Sequence, residues 1–404
     1  MPMFNIQINS LTRALPCLLL AVSFHVYGGP TPTEQKIESL RRDIEKSPTY
    51  QTYNELAQAL ILRVRESGDS GQYVEADRAL ARSKQLAPEN LENESIAVSI
   101  LLGKREFDAA LERARALNKR VPDDVAVYGH IVDAAAALGK YDEAEQAAQW
   151  MLDLRSTSIL SLTRAATLRE VFGDVEGALN LMQGIYPRIA PHDTEARAWH
   201  LTQMASLLAG ARKTAAAEGA ALAALALFPD YPHALGQLAR VRLSQGQFSE
   251  AVTLELKRSQ LVSHPENKYA LAKALAAAGR VKEARLAFAE FEREALKRTH
   301  EADNANRELV YYYVDYARKP AQALTVAARE IERRRDVRTL EAYAWALYAN
   351  GKRTEARQVL ETAIAGGICN VNLVARAVAI AARPGGRNLT KVKQRCIGAC
   401  CGEM

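Results

Sequence analysis

Aromatic residues are scarce in this chain of 404 residues, where they fill 6% of the positions, and cysteine occurs only five times. Few aromatic side chains and many alanines favour helices that pack closely together. Cys396, Cys400 and Cys401 lack the paired Cys-x-x-Cys spacing of a zinc ribbon, and no histidine lies near them. We therefore predict no metal site there. A disulfide in an oxidising compartment and a disordered tail with incidental thiols remain the alternatives, and the second is favoured.

Catalytic motifs are also missing from the sequence. There is no His-Glu-x-x-His, no phosphate-binding loop, no Gly-x-Ser-x-Gly and no strand context for a dinucleotide fingerprint. The histidines are scattered, and His130, His200 and His233 stand singly on predicted helices, where a histidine is usually structural. The sequence thus predicts a protein that is not an enzyme and that binds no cofactor, metal or small-molecule substrate.

A large excess of one charge is missing as well. The formal net charge is +6, and four of these six charges lie in residues 1–28 and 384–404. The charge that remains on the rest of the chain is too small to attract a phosphate backbone. We therefore expect no nucleic acid partner.

The chain does have a strong period. One alanine recurs nine times, at steps of 33, 34 or 39 residues. A period of this length predicts an array of helical units, each of which buries its apolar face only against its neighbours. The recurring alanines, called the marker alanines below, are Ala76, Ala110, Ala144, Ala178, Ala217, Ala251, Ala284, Ala323 and Ala356.

The residues around the marker alanines predict a helix–turn–helix unit. In segments 139–144, 246–251 and 279–284, a glycine begins the segment and an acidic residue directly precedes the alanine. Glycine suits the position just past a helix, where φ is often positive, and an acidic residue suits the first turn of the next helix. Twelve positions before the marker alanine, the first helix has its own small residue, which allows close packing of the pair. These residues are Val98, Val132, Ala166, Ala205, Ala239, Ala272 and Ala344.

Together these features resemble the tetratricopeptide repeat (TPR) family, whose period is 34 residues. The resemblance covers about 48–368 in about nine repeats, and it implies an all-α fold, a right-handed α-solenoid of antiparallel helix pairs. The consensus tryptophan of the first helix is absent almost everywhere, and Tyr311 takes the small-residue position in the eighth unit. The two 39-residue steps place five extra residues near 187–194 and near 297–304.

The N-terminal part of the chain predicts two short elements before the repeats. Residues 1–28 resemble a secretory signal peptide, because Arg13 precedes an apolar run that is short for a membrane span. An uncleaved N-terminal anchor is the alternative. Residues 33–48 predict a capping helix, with Ile37, Leu40 and Ile44 along its one apolar face.

The rest of the chain is predicted to consist of the repeats and a C-terminal tail. We expect the TPR solenoid over 49–383, with 372–383 as the first helix of an unfinished tenth unit. The basic, cysteine-containing tail 384–404 is expected to be disordered. The three arginines of 333–335 lie late in a second helix, and we expect them to be a solvated run on the convex side.

The resemblance also implies a partner-binding surface, because the first helices of this family line a concave groove that usually binds peptides. The position after each first-helix small residue changes along the chain from small and polar, to basic, to aromatic. We expect the groove over units six to nine to bind an extended or helical peptide with some negative charge. The alternative is that Tyr312 and Trp345 pack between adjacent first helices. The candidate groove residues are Arg240, Lys273, Tyr312, Tyr316, Trp345 and Tyr348.

One known groove chemistry of the family is not expected. The carboxylate clamp that holds the C-termini of chaperones needs lysine and asparagine at set positions, and this chain has other residues there. They are Thr202, Gln203, Gly236, Gln237 and Tyr269.

The sequence therefore predicts a non-catalytic protein–protein interaction scaffold of the cell envelope or periplasm, or a secreted one. Its partner is expected to be a protein or peptide, and contact with a membrane is expected only through an uncleaved N-terminal segment. The alternative is an envelope-assembly factor anchored in the inner membrane, with cytoplasmic repeats.

Overall fold

The computed structural model describes residues 30–365, 367 and 380. The predicted signal peptide, most of the tenth unit and the cysteine-containing tail lie outside these residues. The described part contains nineteen α-helices and no strand. In chain order they are α1 (Pro32–Lys46), α2 (Tyr50–Ser67), α3 (Gln72–Leu86), α4 (Leu91–Gly103), α5 (Phe107–Arg120), α6 (Val125–Leu138), α7 (Tyr141–Leu154), α8 (Ile159–Val171), α9 (Val175–Ile185), α10 (Thr194–Gly210), α11 (Thr214–Leu227), α12 (Pro232–Ser244), α13 (Phe248–Leu261), α14 (Pro265–Ala277), α15 (Val281–Lys297), α16 (Asn306–Tyr311), α17 (Pro320–Arg333), α18 (Val337–Ala349) and α19 (Arg353–Ala365).

The helices form a solenoid of nine helix pairs, as the sequence predicts. Each helix packs on the next one along the chain, and first helices of adjacent units, such as α2, α4 and α6, also touch each other. Helix α1 caps the first pair: Thr31 and Glu34 form a capping box at its start, and Ile37 and Leu40 are buried. Units one to nine are therefore α2–α3, α4–α5, α6–α7, α8–α9, α10–α11, α12–α13, α14–α15, α16–α17 and α18–α19.

Each pair is held together at its small residues. All nine marker alanines lie one turn into a second helix and are at most 5% exposed. The seven small residues predicted on the first helices are at most 2% exposed. Both predictions are confirmed. Because a larger side chain at either position would push the two helices apart, these residues set the tight spacing of each pair.

The turn inside each unit needs one residue with positive φ. Gly139, Gly246, Gly279 and Gly351 occupy this position with φ between 72° and 77°, which confirms the prediction from the glycine spacing. Three units place an arginine there instead, with φ values of 63°, 60° and 56°. They are Arg105, Arg212 and Arg318. An L-residue is strained in this conformation, so these turns are less favourable than the glycine turns.

The first five-residue insertion lengthens the helix that follows it, and the second lengthens both a helix and the connection after that helix. Helix α10 has 17 residues, against 13 in the first helices α8 and α12, and its added N-terminal turn contains Glu195. Helix α15 also has 17 residues, against 14 in α13, and a connection containing Asp303 follows it. Both acidic residues reach units that are far away in sequence.

The solenoid coils tightly enough to touch itself. The amide of Val337 donates to the hydroxyl of Tyr141, 196 residues earlier, at 3.0 Å. The amide of Arg335 donates to the carbonyl oxygen of Leu138 at 3.2 Å. These contacts join unit three to the start of unit nine, so successive turns of the superhelix are packed edge to edge.

Ion pairs extend this contact line, which we call the seam, towards the N-terminus. Arg105 contacts Glu266 at 2.8 Å and Asp303 at 3.1 Å. Arg65 contacts Glu195 at 2.9 Å, across 130 residues of sequence. The seam therefore uses an acidic residue from each of the two insertions.

The prediction of a solvated arginine run at 333–335 is wrong for Arg334, whereas the side chain of Arg335 is exposed. Arg334 is only 8% exposed and pairs with Glu330 at 2.6 Å. Arg333 donates to the backbone carbonyl oxygens of His300 and Glu301. The partner of Arg334 lies four residues earlier on the same helix, whereas the partners of Arg333 come from the connection after α15, which the sequence around Arg333 does not indicate.

Candidate functional site

The structure brings three of the six predicted groove residues into one cavity, which we call the lumen site. Arg240 comes from α12, Lys273 from α14, and Tyr316 from a π-helix, Tyr312–Tyr316, that continues α16. The cavity has a volume of about 390 Å³. Its remaining lining residues are Tyr269, Arg307, Glu308, Tyr311, Asp315, Arg338 and Glu341. The site therefore spans the first helices of units six to nine.

Three cations of the lumen site have no ion-pair partner in the part of the chain that the structure describes. Among the residues that the structure describes, no carboxylate oxygen lies within 4.0 Å of the side-chain nitrogens of Arg240, Lys273 or Arg338. Lys273 lies instead over the ring of Tyr269, with 5.3 Å between its nitrogen and the ring centroid. Three cations without direct partners are an arrangement that attracts an anion.

These cations are accessible to water but lie in a recess of the protein. The side chains of Arg240, Lys273 and Arg338 are all accessible to water. Nevertheless, desolvation by the surrounding protein, followed by the positive charges of Arg338 and Arg258, lowers the pKa of Arg240 to about 10. Desolvation also lowers the pKa of Lys273. A side chain that water reaches and that the protein still desolvates lies in a recess, not on an open surface.

Carboxylates lie around the cations without pairing directly with them. Glu308, Asp315 and Glu341 line the cavity, and one oxygen of Glu308 is buried without a hydrogen-bond partner. Glu170 of α8 is also within electrostatic reach of Arg240 and Arg338. Burial raises the pKa of Glu170, and the charges of Arg338 and Arg240 oppose that rise. The first helix of unit four thus approaches those of units six and nine.

Of the aromatic candidates on the π-helix, Tyr316 lines the cavity and Tyr312 packs against the neighbouring helix. Tyr316 is 43% exposed and lies against Phe288, with ring centroids 4.5 Å apart. Tyr312 stacks on Phe288 at 5.1 Å, and its hydroxyl donates to Glu292 at 3.4 Å. Since a π-helix adds a residue to the turn, Tyr311, rather than Tyr312, lines the cavity in this unit.

Trp345 and Tyr348 lie next to the lumen site rather than on its lining. The indole nitrogen of Trp345 donates to Asp315 at 2.8 Å, which connects the first helices of units eight and nine. The rings of Trp345 and Tyr348 stack with centroids 5.4 Å apart, and Arg353 lies over Tyr348 at 5.6 Å. Trp345 thus positions a carboxylate of the cavity wall.

Sequence reasoning missed Tyr269 and Arg338 as lining residues. Tyr269 precedes Lys273 by four positions, and Arg338 precedes Trp345 by seven, so each pair lies on one helix face. Both could have been predicted by taking the positions that share a helix face with Lys273 and Trp345. Tyr311 could not be found in this way, because the π-helix shifts the spacing locally.

A larger cavity of about 790 Å³ lies at the seam itself. It is bounded by Tyr141 at the start of α7, by Leu340, Tyr343 and Leu347 of α18, and by Val359 of α19. Its walls come from two successive turns of the superhelix. Charged side chains also line it, namely Lys140, Asp142, Glu143, Arg335 and Glu355.

The described residues offer neither a metal site nor a membrane-spanning helix. There, no group of three or more His, Cys, Asp or Glu side chains is placed to hold a metal ion. Likewise, none of the helices in the described ranges is both long and apolar enough to span a membrane. His200, one of the three lone histidines, is buried and contacts the carbonyl oxygen of Ala196 at 2.9 Å.

Comparison with known proteins supports the repeat assignment. Residues 97–158 and 202–267 match the family model described as tetratricopeptide repeat. No curated protein matches the chain.

Solved structures with similar folds are distant in sequence. One is the crystal structure of the APC/C hetero-tetramer Cut9-Hcn1, with 14% identity and a TM-score of 0.52. The similarity covers 77% of this chain and 58% of that one, so this chain spans less than two thirds of it. Another is the human IFIT1 dimer with PPP-AAAA, with 10% identity, a TM-score of 0.51, and coverage of 83% and 95%. A monomeric IFIT1 mutant with m7Gppp-AAAA matches at 14% identity and a TM-score of 0.52, with coverage of 81% and 76%. At these identities the similarity shows a shared helical-repeat fold.

Proposed function

We propose that this chain of tetratricopeptide repeats is a non-catalytic scaffold that binds a protein partner on its concave surface. The observation that carries the proposal is the lumen site, where Arg240, Lys273 and Arg338, which have no ion-pair partner among the described residues, line one cavity with the exposed ring of Tyr316. Arginine and aromatic side chains are frequent anchors in protein interfaces. A partner segment with negative charge, extended or helical, would supply carboxylates that pair directly with these cations.

We also propose that the scaffold acts in the cell envelope or periplasm, or is secreted. The support is the sequence of 1–28, which resembles a signal peptide. N-terminal sequencing of the protein isolated from its own cells tests this location. A mature N-terminus near Gly29 is expected. Retention of 1–28 in a membrane fraction would contradict export and support the anchored alternative.

Site-specific photo-crosslinking tests the scaffold function. A photoreactive amino acid replaces Tyr316 in the full chain in living cells, and adducts are identified by mass spectrometry. The matched control places the same amino acid at Val281, which is 65% exposed and does not line the lumen site. We expect a defined protein adduct from position 316 that is absent from position 281. The same set of adducts from both positions, or none from 316, would contradict the proposal.

A further inference from the structure

The lumen site lies inside a coil whose side is closed by the seam. We infer that the partner presents an acidic, unfolded segment that enters the superhelix from one end, rather than a folded surface that docks from the side. This inference rests on the proposed scaffold function and specifies the kind of partner.

The first support is the tightness of the seam. A methyl group added at Gly68 would lie 2.7 Å from a side-chain carbon of Val262, and one added at Gly139 would lie 2.3 Å from the carbonyl oxygen of Arg335. Both distances are shorter than van der Waals contact. Successive turns therefore leave no room between them at these points, and a side entrance would require the turns to separate.

The second support is that the seam is fastened by charge as well as by close packing. Arg105 holds Glu266 and Asp303 from the next turn, and Arg65 holds Glu195. The hydroxyl of the buried Tyr231 also donates to Glu195, at 2.8 Å. Breaking such pairs leaves partly buried charges without partners, so opening the seam is costly.

The third support is the size of the lumen site. Its volume of about 390 Å³ is at the low end of the range for ligand pockets, roughly 300–1,000 Å³. A recess of this volume has room for a few side chains and not for a folded domain. An extended strand of polypeptide, which places a few side chains in the cavity, fits this space best.

The fourth support is charge complementarity. Arg240, Lys273 and Arg338 offer guanidinium and ammonium groups without direct partners in the described structure. Aspartate or glutamate side chains of a threaded segment can each accept charge-assisted hydrogen bonds from them. Acidic segments of low hydrophobicity are also the ones that stay unfolded and can thread.

A blocked-peptide experiment tests both parts of the inference with the full chain. The probes are a fluorescent 20-residue peptide of Glu, Ser and Gly, its Gln-for-Glu counterpart, and the acidic peptide fused to a small folded domain at one end or at both ends. We expect the acidic peptide and the singly blocked form to bind. The Gln peptide should bind at least about tenfold more weakly, and the doubly blocked form should associate at least about tenfold more slowly.

Variants of the chain assign the binding to the lumen site. Arg240→Gln with Lys273→Gln should weaken binding of the acidic peptide by about tenfold or more. Arg285→Gln is the matched control, because Arg285 is exposed and does not line the cavity, and it should bind like the wild type. Circular dichroism verifies that each variant is folded.

Each of the opposite outcomes would contradict one part of the inference. Equal association of the doubly blocked and free peptides overturns entry from an end. Equal binding of the Gln peptide, or an unaffected double variant, overturns the charge assignment, and tighter binding of a single-stranded RNA of equal length overturns a protein segment as the occupant. Failure of the scaffold function is distinguishable: the peptides would bind as expected while crosslinking at position 316 recovers no protein.

Discussion

At the scale of single residues, the turn position inside each unit shows how local strain and long-range contacts compete. Arg105 and Arg212 both adopt positive φ, at 63° and 60°. Arg212 is exposed, with no side-chain ion pair within the described residues, whereas Arg105 belongs to the seam. The same strained backbone thus has a compensating contact in one unit and none in the other.

We predict opposite effects of glycine at these two positions. Arg212→Gly should stabilise the protein by about 0.5–1 kcal/mol, because it removes the left-handed strain and loses no ion pair. Arg105→Gly should destabilise it by about 2 kcal/mol or more, because Glu266 and Asp303 lose their partner. Urea unfolding of both variants measures the two changes. Stabilisation by both substitutions would show that the pairs of Arg105 do not hold the seam.

A second pair of residues isolates the tightness of the seam. Gly139 and Gly246 have nearly equal φ, 76° and 75°, but a methyl group on Gly246 would meet no atom within 4 Å. Gly246→Ala should therefore cost only the backbone strain, about 1 kcal/mol. Gly139→Ala should cost a further 1–3 kcal/mol or so, because its methyl group overlaps Arg335. Equal losses in thermal or urea unfolding would mean that the two turns of the superhelix are not in contact there.

At the scale of helices, the marker alanines govern the packing of each pair. Ala144 of α7 is fully buried, whereas Ala81 of α3 is exposed on its helix. Ala144→Leu should overpack the pair and destabilise the protein by about 1–3 kcal/mol, with units two and four losing structure first. Ala81→Leu, the control, should change stability little. Hydrogen exchange across the units measures both effects, and a wild-type exchange pattern for Ala144→Leu would place the marker alanine on the wrong face.

Features that depend on neighbours in sequence were predictable at this scale. The helix pairs, their turns and the buried small residues follow from a period that repeats in every unit, so the local pattern contains them. Of the candidate site, Arg240, Lys273 and Tyr316 were predicted and do line one cavity. The replacement of Tyr312 by Tyr311 in the cavity lining was not predicted, because a π-helix changes the spacing of hydrogen bonds and has no sequence signal of its own.

Contacts between turns of the superhelix could not be predicted. The backbone amide of Arg335 contacts Leu138 in another turn, and the local sequence does not indicate this contact, because the accumulated rotation of the units decides which turns meet. The insertions near 187–194 and 297–304 were located correctly. The contribution of the insertions to the seam could not be predicted, because the partners of Glu195 and Asp303 lie in units one and two, far away in sequence.

At the scale of the whole molecule, the seam should respond to acid through Glu266. Burial alone would raise the pKa of this carboxyl group, but the charge and hydrogen bonds of Arg105, with Arg307 and His264, lower it well below the ordinary 4.5. A carboxyl group whose folded pKa is lowered contributes stability above its unfolded pKa and loses that contribution as the pH falls towards the folded value. Acid below about pH 4.5 should therefore loosen the seam.

The difference between wild type and Glu266→Gln measures this contribution. In urea unfolding, the variant should be clearly less stable at pH 7, and the gap should shrink between pH 5 and pH 3. The comparison is needed because other groups act in the opposite direction: burial raises the pKa of Glu195 despite Arg65 and Tyr231. Glu145→Gln, at an exposed position, serves as control and should show no such pH dependence. A gap for Glu266→Gln that stays constant with pH would contradict the pairing.

The seam also limits how such a protein can evolve. An open solenoid can gain or lose a unit by duplication or deletion, because each unit contacts only its neighbours. Here the hydroxyl of Tyr141 accepts from the amide of Val337, 196 residues away, so deleting one unit between them would bring different residues opposite each other. We therefore expect the number of repeats between the two sides of the seam to stay constant during evolution. The number of repeats should vary only outside this region.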